Sequence, residues 1–388
     1  MDLDTFFVSV ERLTNSKLMG KPVIIGGTSD RGVVASCSYE ARSFGVHAGM
    51  PIKMARQLCS EASYIRGDME QYTRYSNVVT DIIAEAAPVY EKASIDEHYI
   101  DISGLDRFFG CQQWSRELRE KIIRETGLPI SLGLSVNKTV SKIATGEAKP
   151  NGMRNVPLTV VQPFLNPLSI RKIPMLGPQT FRLLRSMGII TIETLSQIPP
   201  EMMERVLGQN GISIWKKANG IDPSPVQPWS EQKSMSSERT YEQDTTDIQE
   251  LERTLLRMTE ALAFDLRRKE KMTSCVTVKI RYSNFDTHTL QKRIPYTSFD
   301  HILKNEVKGL FRQLYNRRML IRLVGVRLSH LITGTYQMNL FEDSSEMIRL
   351  YQSLDTIRKR YGKHAIHSAS AVIFATKALR PEENTKIF

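Results

Sequence analysis

Two adjacent acids, Asp96 and Glu97, interrupt the apolar–polar alternation of "EKASIDEHYID" at residues 91–101. On a straight strand neighbouring side chains point to opposite faces, so the pair could not share one ligand. If 89–95 is one strand and 98–102 the next, the acids sit on a sharp turn where both can face one side. Adjacent carboxylates repel and burial sharpens the repulsion, so a cation must compensate them unless the turn is simply an exposed acidic hairpin. Oxygen-only ligands suit Mg²⁺ or Mn²⁺. "MDLDTFFVSVE" offers a third acid, Asp2, on a strand ending near Asp2 and Asp4 and passing into a helix opened by Phe6 and Phe7. A carboxylate at a strand end beside free helix amides suits a metal-bound triphosphate. Three carboxylates from two strands can hold two metal ions about 4 Å apart, the arrangement that serves phosphoryl transfer.

Positive charge comes from two further segments. "SCSYEARSFGVHAGMP" carries Tyr39 and Arg42, and "AKPNG" sets Lys149 before a Pro–Asn–Gly turn. Singly, Arg42 reads equally as a surface ion-pair residue and Lys149 as a turn lysine; together they offer charge-assisted bonds to phosphate. The seven histidines form no ligand cluster, and His98, beside the acids, is expected to pack or hydrogen-bond.

The elements that must position these groups separate into four stretches. Residues 1–157 mix short apolar strands ("PVIIGG", "GVVASCS", "YIDIS", "ISLGLSV") with amphipathic helices. Residues 158–230 are helical and broken by Pro and Gly, and a polar linker is expected at 231–238. Residues 239–331 follow in the order β-α-β-β-α-β of a split βαβ, ferredoxin-like module. Its middle strands carry Lys279, Arg281, Lys292 and Arg293 on what is expected to be one solvated face, suited to a phosphate backbone. A C-terminal tail, 332–388, contains one more amphipathic stretch.

Lys and Arg outnumber Asp and Glu by 53 to 42 in 388 residues, a net charge of +11 that fits a polyanionic partner as well as a merely basic soluble protein. No signal peptide or membrane-length apolar run is present, and four scattered cysteines argue against a zinc site or a disulfide framework. A cytoplasmic monomer is expected.

"MDLDTFFVSVE", "SCSYEARSFGVHAGMP", "SIDEHYID" and "AKPNG", in that order, resemble the Y-family DNA polymerases, and within them the polymerase IV branch, over roughly residues 1–341. The resemblance implies an α+β right-hand polymerase with a ferredoxin-like palm (1–10 and 69–157) and small fingers (11–68). A helix-hairpin-helix thumb (158–230) and the β-α-β-β-α-β little finger (239–331) complete it. It implies low-fidelity, translesion DNA synthesis from dNTP onto a primer–template, without proofreading. Asp2, Asp96 and Glu97 match the catalytic metal ligands, with the Leu3 carbonyl as a further oxygen for two Mg²⁺ ions that Mn²⁺ could replace. Phe6, Phe7, Ser36, Tyr39, Arg42 and Lys149 match nucleotide contacts, with Phe7 the steric gate against a ribose 2′-hydroxyl and Val33 and Ala35 the roof over the nascent pair. In the thumb, Gly177 is kept in the DNA-binding loop, whereas Met175 stands where glycine is common. "QMNLF" resembles a sliding-clamp peptide through Gln337, Leu340 and Phe341.

The family carries an apolar strand before the first catalytic Asp, and here the sequence begins one residue ahead of it. The expectation is a truncated or late-assigned start; if the short start is genuine, a second class of function is a catalytically impaired DNA- and clamp-binding protein. A nucleotidyl cyclase, a third class, would have a Gly-Gly-acidic turn that the chain lacks.

Overall fold

The computed structural model describes residues 1–27, 29–105, 110–228, 231–334, 344–362 and 365–369. The chain divides into two units, Met1–Ser230 and Glu231–Phe388.

In the first unit the order is β1 (Asp2–Leu3), α1 (Phe6–Thr14), β2 (Val23–Gly26), β3 (Val34–Cys37), α2 (Tyr39–Ser43), α3 (Ile52–Leu58) and β4 (Ser63–Ile65). It continues through α4 (Met69–Ala86), β5 (Val89–Lys92), β6 (His98–Asp101), α5 (Cys111–Thr126), β7 (Ile130–Ser135), α6 (Lys138–Ala148) and β8 (Met153–Val156). Five short helices close it: α7 (Val161–Leu165), α8 (Pro178–Ser186), α9 (Ile192–Ser196), α10 (Pro200–Leu207) and α11 (Gln209–Ala218).

The sheet that matters for chemistry has the order β1-β7-β8, with the β5–β6 hairpin joined to the other side of β1 through an Asp2–Glu97 bridge. β1 is thus paired on both sides. Two helices cover one face of this sheet. α4 starts at Asp68, whose carboxylate accepts from the Glu70 and Gln71 amides, and it turns Tyr72, Ser76, Val79, Ile82 and Ile83 inward at three- and four-residue spacing. α5 adds Leu118 and Ile122 to the same core, which also holds Leu3, Phe6, Val8 and Val10.

The small sheet β3-β2-β4 has a separate core made with α2 and α3. The stretch 158–230 is helical, as expected, but shares its core with elements that precede it. Its core contains Val140, Ile143, Ala144 and Val156 from α6 and β8 beside Leu184, Ile192 and Ile214. A boundary at 157/158 cuts through one packed cluster, because α6 offers an apolar face to the helices that follow it.

The second unit has β9 (Ser234–Thr245), α12 (Ile248–Arg268), β10 (Lys271–Tyr282), β11 (Thr287–Thr297), α13 (Asp300–Leu314), β12 (Ile321–Thr333) and α14 (Ser344–Tyr361). The four strands pair antiparallel in the order β11-β10-β12-β9, which is the expected split βαβ module. The expected linker is shorter than 231–238, because β9 begins at Ser234 opposite Ser329: ladder pairing overrides a polar composition. The amphipathic tail stretch is α14. Its Tyr351, Asp355 and Arg358 close on α12 and α13 around Arg267 and Asp300.

Among the described residues no helix is long and apolar enough to cross a membrane.

Candidate active site

The acidic pair sits on a wider turn than its sequence suggests. β5 ends at Lys92 and β6 begins at His98, so 93–97 forms the turn. The Ala93 and Ser94 amides both donate to the Glu97 carbonyl, which curls the chain and ends the ladder early. This curl brings the pair against β1: the Leu3 amide donates to the Asp96 carbonyl at 2.9 Å, and Asp2 is bridged to Glu97. The three predicted acids are therefore backbone neighbours.

Their side chains are drawn apart by separate partners. Lys149 is ion-paired with Asp2. Lys142 donates to both oxygens of Glu97, at 2.5 and 2.6 Å, and the Ser94 hydroxyl donates to Asp96 at 2.5 Å. Among the described residues no three His, Cys, Asp or Glu side chains converge as a metal cage. Burial raises the Asp2 carboxyl above its ordinary range, with Lys149 pulling it back and the like charges of Asp96 and Glu97 adding to the rise. The donor set of three carboxylates and the Leu3 carbonyl is all oxygen, the set a hard divalent cation takes. It fits the implied metal in chemistry and in backbone placement.

Lys142 was not singled out by sequence. A readable signal exists: Lys138 and Lys142 lie four apart on α6 and pair with Glu91 and Glu97 of the hairpin. The close approach of α6 depends on Gly133 in β7, where a Cβ would meet the Ser141 carbonyl at 2.2 Å and the Thr145 amide at 2.5 Å. His98 is 1% exposed, with Nε2 3.0 Å from the Thr80 hydroxyl. Burial, helped by Lys92 and the chain-terminal amine, lowers its pKa to about 3, so it is a neutral packing group as expected.

A second residue missed by sequence is Asp4, 1% exposed, whose oxygens accept from Ser131, Asn151 and Tyr39. Thr5 then turns the chain from β1 into α1 through the left-handed region (φ 42°), at a cost of roughly 1–2 kcal/mol. Tyr39 and Arg42 share the short helix α2, whose Ser38 cap accepts from the Ala41 amide. The Arg42 guanidinium lies 5.0 Å from the centre of the Tyr39 ring.

The two aromatics of α1 part company. Phe6 is buried in the core at 3% exposure, so its ring offers no nucleotide surface. Phe7 is half-buried, its ring stacked on Tyr72 at 4.3 Å and 12°. Val33, just before β3, and Ala35 on it are exposed and Ser36 is half-buried, leaving small side chains at that surface.

Residues 1–146 match the model of the impB/mucB/samB family, and residues 232–340 match that of its C-terminal domain. The chain is 36% identical over 372 residues to a DNA polymerase IV of Dehalococcoides mccartyi, covering 95% of each protein. It is 34% identical to that of Desulfatibacillum aliphaticivorans, covering 97% of each. This chain belongs to the Y family of DNA polymerases, on its polymerase IV branch. Solved structures agree: a Y-family chimera built mainly of Dbh superposes with a TM-score of 0.75 at 27% identity, over 86% of this chain and 98% of that one. The insertion ternary complex of Dbh DNA polymerase gives a TM-score of 0.61, also at 27% identity and the same coverage.

Two more parts of this Y-family chain bear on the expected DNA contacts. In the loop before α8, Met175 adopts the left-handed conformation (φ 71°) although it is not glycine, with its side chain 87% exposed. A non-glycine residue thus holds the left-handed backbone and places a large apolar side chain at the surface. Gly177 is extended at the α8 N-cap, with open space where a Cβ would be.

In the second unit, the register corrects the expected basic face. Lys292 pairs with the buried Val276, lies on the helix side and bonds Glu306 of α13. Lys279, Arg281 and Arg293 take the alternate register, opposite Thr289, Thr287 and Cys275. Lys279 reaches Glu238 of β9 at 2.9 Å across Gly325, where a Cβ would stand 2.8 Å from the Glu238 side chain. Gln337, Leu340 and Phe341 lie outside the described residues.

Proposed function

We propose that the chain extends a DNA primer from dNTPs at the Asp2–Asp96–Glu97 cluster, copying a template with low fidelity and without proofreading. The observation that carries this reading is the strand register, which makes neighbours of Asp2 and the acidic turn, with Lys149 beside them. Two divalent cations held by Asp2, Asp96, Glu97 and the Leu3 carbonyl, Mg²⁺ or in its place Mn²⁺, would supply Lewis-acid activation of the primer 3′-hydroxyl and the triphosphate.

The chain's own groups do the rest. Lys149, half-buried beside Asp2 and Asp4, can exchange a carboxylate for a triphosphate oxygen with its charge still matched. Tyr39 and Arg42, three apart on one face of a short helix, offer two more donors to the same phosphates. Burial and the nearby Asp4 hold the Tyr39 hydroxyl up at about 12, so it remains a donor. The Phe7 ring cannot swing freely because Tyr72 backs it, which suits it to exclude a 2′-hydroxyl. The α8 loop and the outer sheet face, with Lys279, Arg281 and Arg293, suit the DNA backbone rather than base edges. "QMNLF" adds a sliding clamp as partner, and the protein acts as a cytoplasmic monomer.

Primer extension with Mg²⁺ and all four dNTPs tests the reading, using Asp96→Asn/Glu97→Gln as the control. Extension that disappears in the control is expected. Primer–template binding without any extension would favour the reading of a DNA- and clamp-binding protein.

A further inference from the structure

Asp4 is the most buried acid among the described residues of the first unit and belongs to none of the roles above. Its Oδ2 accepts from the Ser131 hydroxyl of β7 at 2.7 Å and from the Asn151 amide at 2.6 Å. Its Oδ1 accepts from the Tyr39 hydroxyl at 3.4 Å and lies 3.7 Å from the Lys149 ammonium. The donors come from 35 to 147 residues away along the chain. With its oxygens already accepting and 1% exposure, the carboxylate has no room for the water shell that Mg²⁺ keeps.

We propose that Asp4 is a positioning residue for triphosphate binding: it joins the Tyr39 helix, the Lys149–Asn151 turn and β7 into one frame, and is not a metal ligand. This rests on the dNTP reading of Tyr39 and Lys149. Ser131, Asn151, Tyr39 and Lys149 are all donors toward Asp4, so an all-acceptor anion is the side chain that satisfies them together. Asparagine has nearly the same shape but presents an amide donor where one pair of contacts needs an acceptor. The Tyr39 hydroxyl and the turn then lose their common reference.

The test measures dNTP affinity in a complex with dideoxy-terminated primer–template, where no chemistry occurs, together with the Mg²⁺ dependence of extension on normal primer. Asp4→Asn is expected to weaken dNTP binding tenfold or more, with the Mg²⁺ concentration for half-maximal rate unchanged. Combined with Tyr39→Phe, it should weaken binding by less than the product of the two single effects, since both break the same contact. Unchanged dNTP affinity in Asp4→Asn overturns the proposal. So does a raised Mg²⁺ requirement relieved by Mn²⁺, which would make Asp4 a ligand. If Asp4→Asn does not fold, Ser131→Ala, which removes a single donor, takes its place: a severalfold loss of dNTP affinity supports the frame and no loss overturns it. Wild-type protein that neither binds dNTP in the complex nor extends primer would instead sink the polymerase reading itself.

Discussion

Two charge clusters, one in each unit, show how similar pairings can serve opposite ends. In the second unit Arg267 donates to Asp355 at 2.7 and 2.9 Å and to Asp300 at 2.6 Å, while Arg358 adds to Asp300 at 3.4 Å. The two arginines and Asp300 are at most 5% exposed. Burial alone would lower the Arg267 guanidinium, yet its bonds to Asp355 and Asp300 hold it above its ordinary value. The Arg267 guanidinium also lies 4.8 Å from the centre of the Tyr351 ring. Such a cluster is almost closed to solvent; it fastens α14 to α12 and α13.

The first-unit cluster pairs Lys149 with Asp2 and Lys142 with Glu97, but these groups keep 15–41% of their side-chain surface. Asp2 and Glu97 each have a flexible-stemmed lysine for a partner rather than a planar guanidinium with fixed geometry. Closed pairing makes a lock, whereas open pairing leaves acids that another cation can claim.

The largest expected effect breaks the lock. Arg267→Met strands Asp300 and Asp355 without their main partner and should destabilise the second unit by about 3–5 kcal/mol, seen as an early transition in denaturant. Lys149→Met in the open cluster should instead leave the melting profile nearly intact. Loss of one charge-assisted phosphate contact, about 1.5–3 kcal/mol, should raise KM for dNTP roughly ten- to hundredfold. A change in stability as large as that of Arg267→Met would erase the distinction.

A pH effect sharpens the comparison from the first unit. His98 is held neutral in the folded state, with a pKa near 3, but titrates near its ordinary value of 6.5 when unfolded. The unfolded chain therefore binds more protons between those values. The stability His98 allows is fully present above pH 6.5 and is lost as pH falls toward 3, on the order of 2 kcal/mol by pH 5. His98→Gln should give a shallower decline over pH 6.5–5 in denaturant titrations. The smallest effect concerns the outer sheet face. Lys279→Ala should reduce the slope of log affinity for DNA against log salt by about 1. Lys292→Ala, on the helix side, should leave that slope unchanged.

Much of this was legible in the sequence, for identifiable reasons. The four motifs carry their own chemistry, and the βαββαβ order of the second unit follows from alternation and helical periodicity that the ladder then obeys. Asp4 was not legible as a hub, because its partners Tyr39, Ser131 and Asn151 come together only in the folded unit. Lys142 depends on the close packing of α6 on Gly133. The side of the sheet that Lys292 occupies depends on register: "LQKR" looks uniformly solvated until its pairing with Val276 is known. The shared core of α6 with the later helices could not be read from composition, because it depends on which face α6 buries.

The central claim is that Asp2, Asp96 and Glu97, now parted among a lysine, a serine and another lysine, form one metal-binding cluster. It is tested most directly by counting Mn²⁺ bound, by electron paramagnetic resonance, in the complex with dideoxy-terminated primer–template and dNTP. The account predicts two Mn²⁺ ions per wild-type chain beyond those held by DNA and nucleotide alone, with at least one lost in Asp96→Asn/Glu97→Gln. The same number in the wild type and the variant would contradict it.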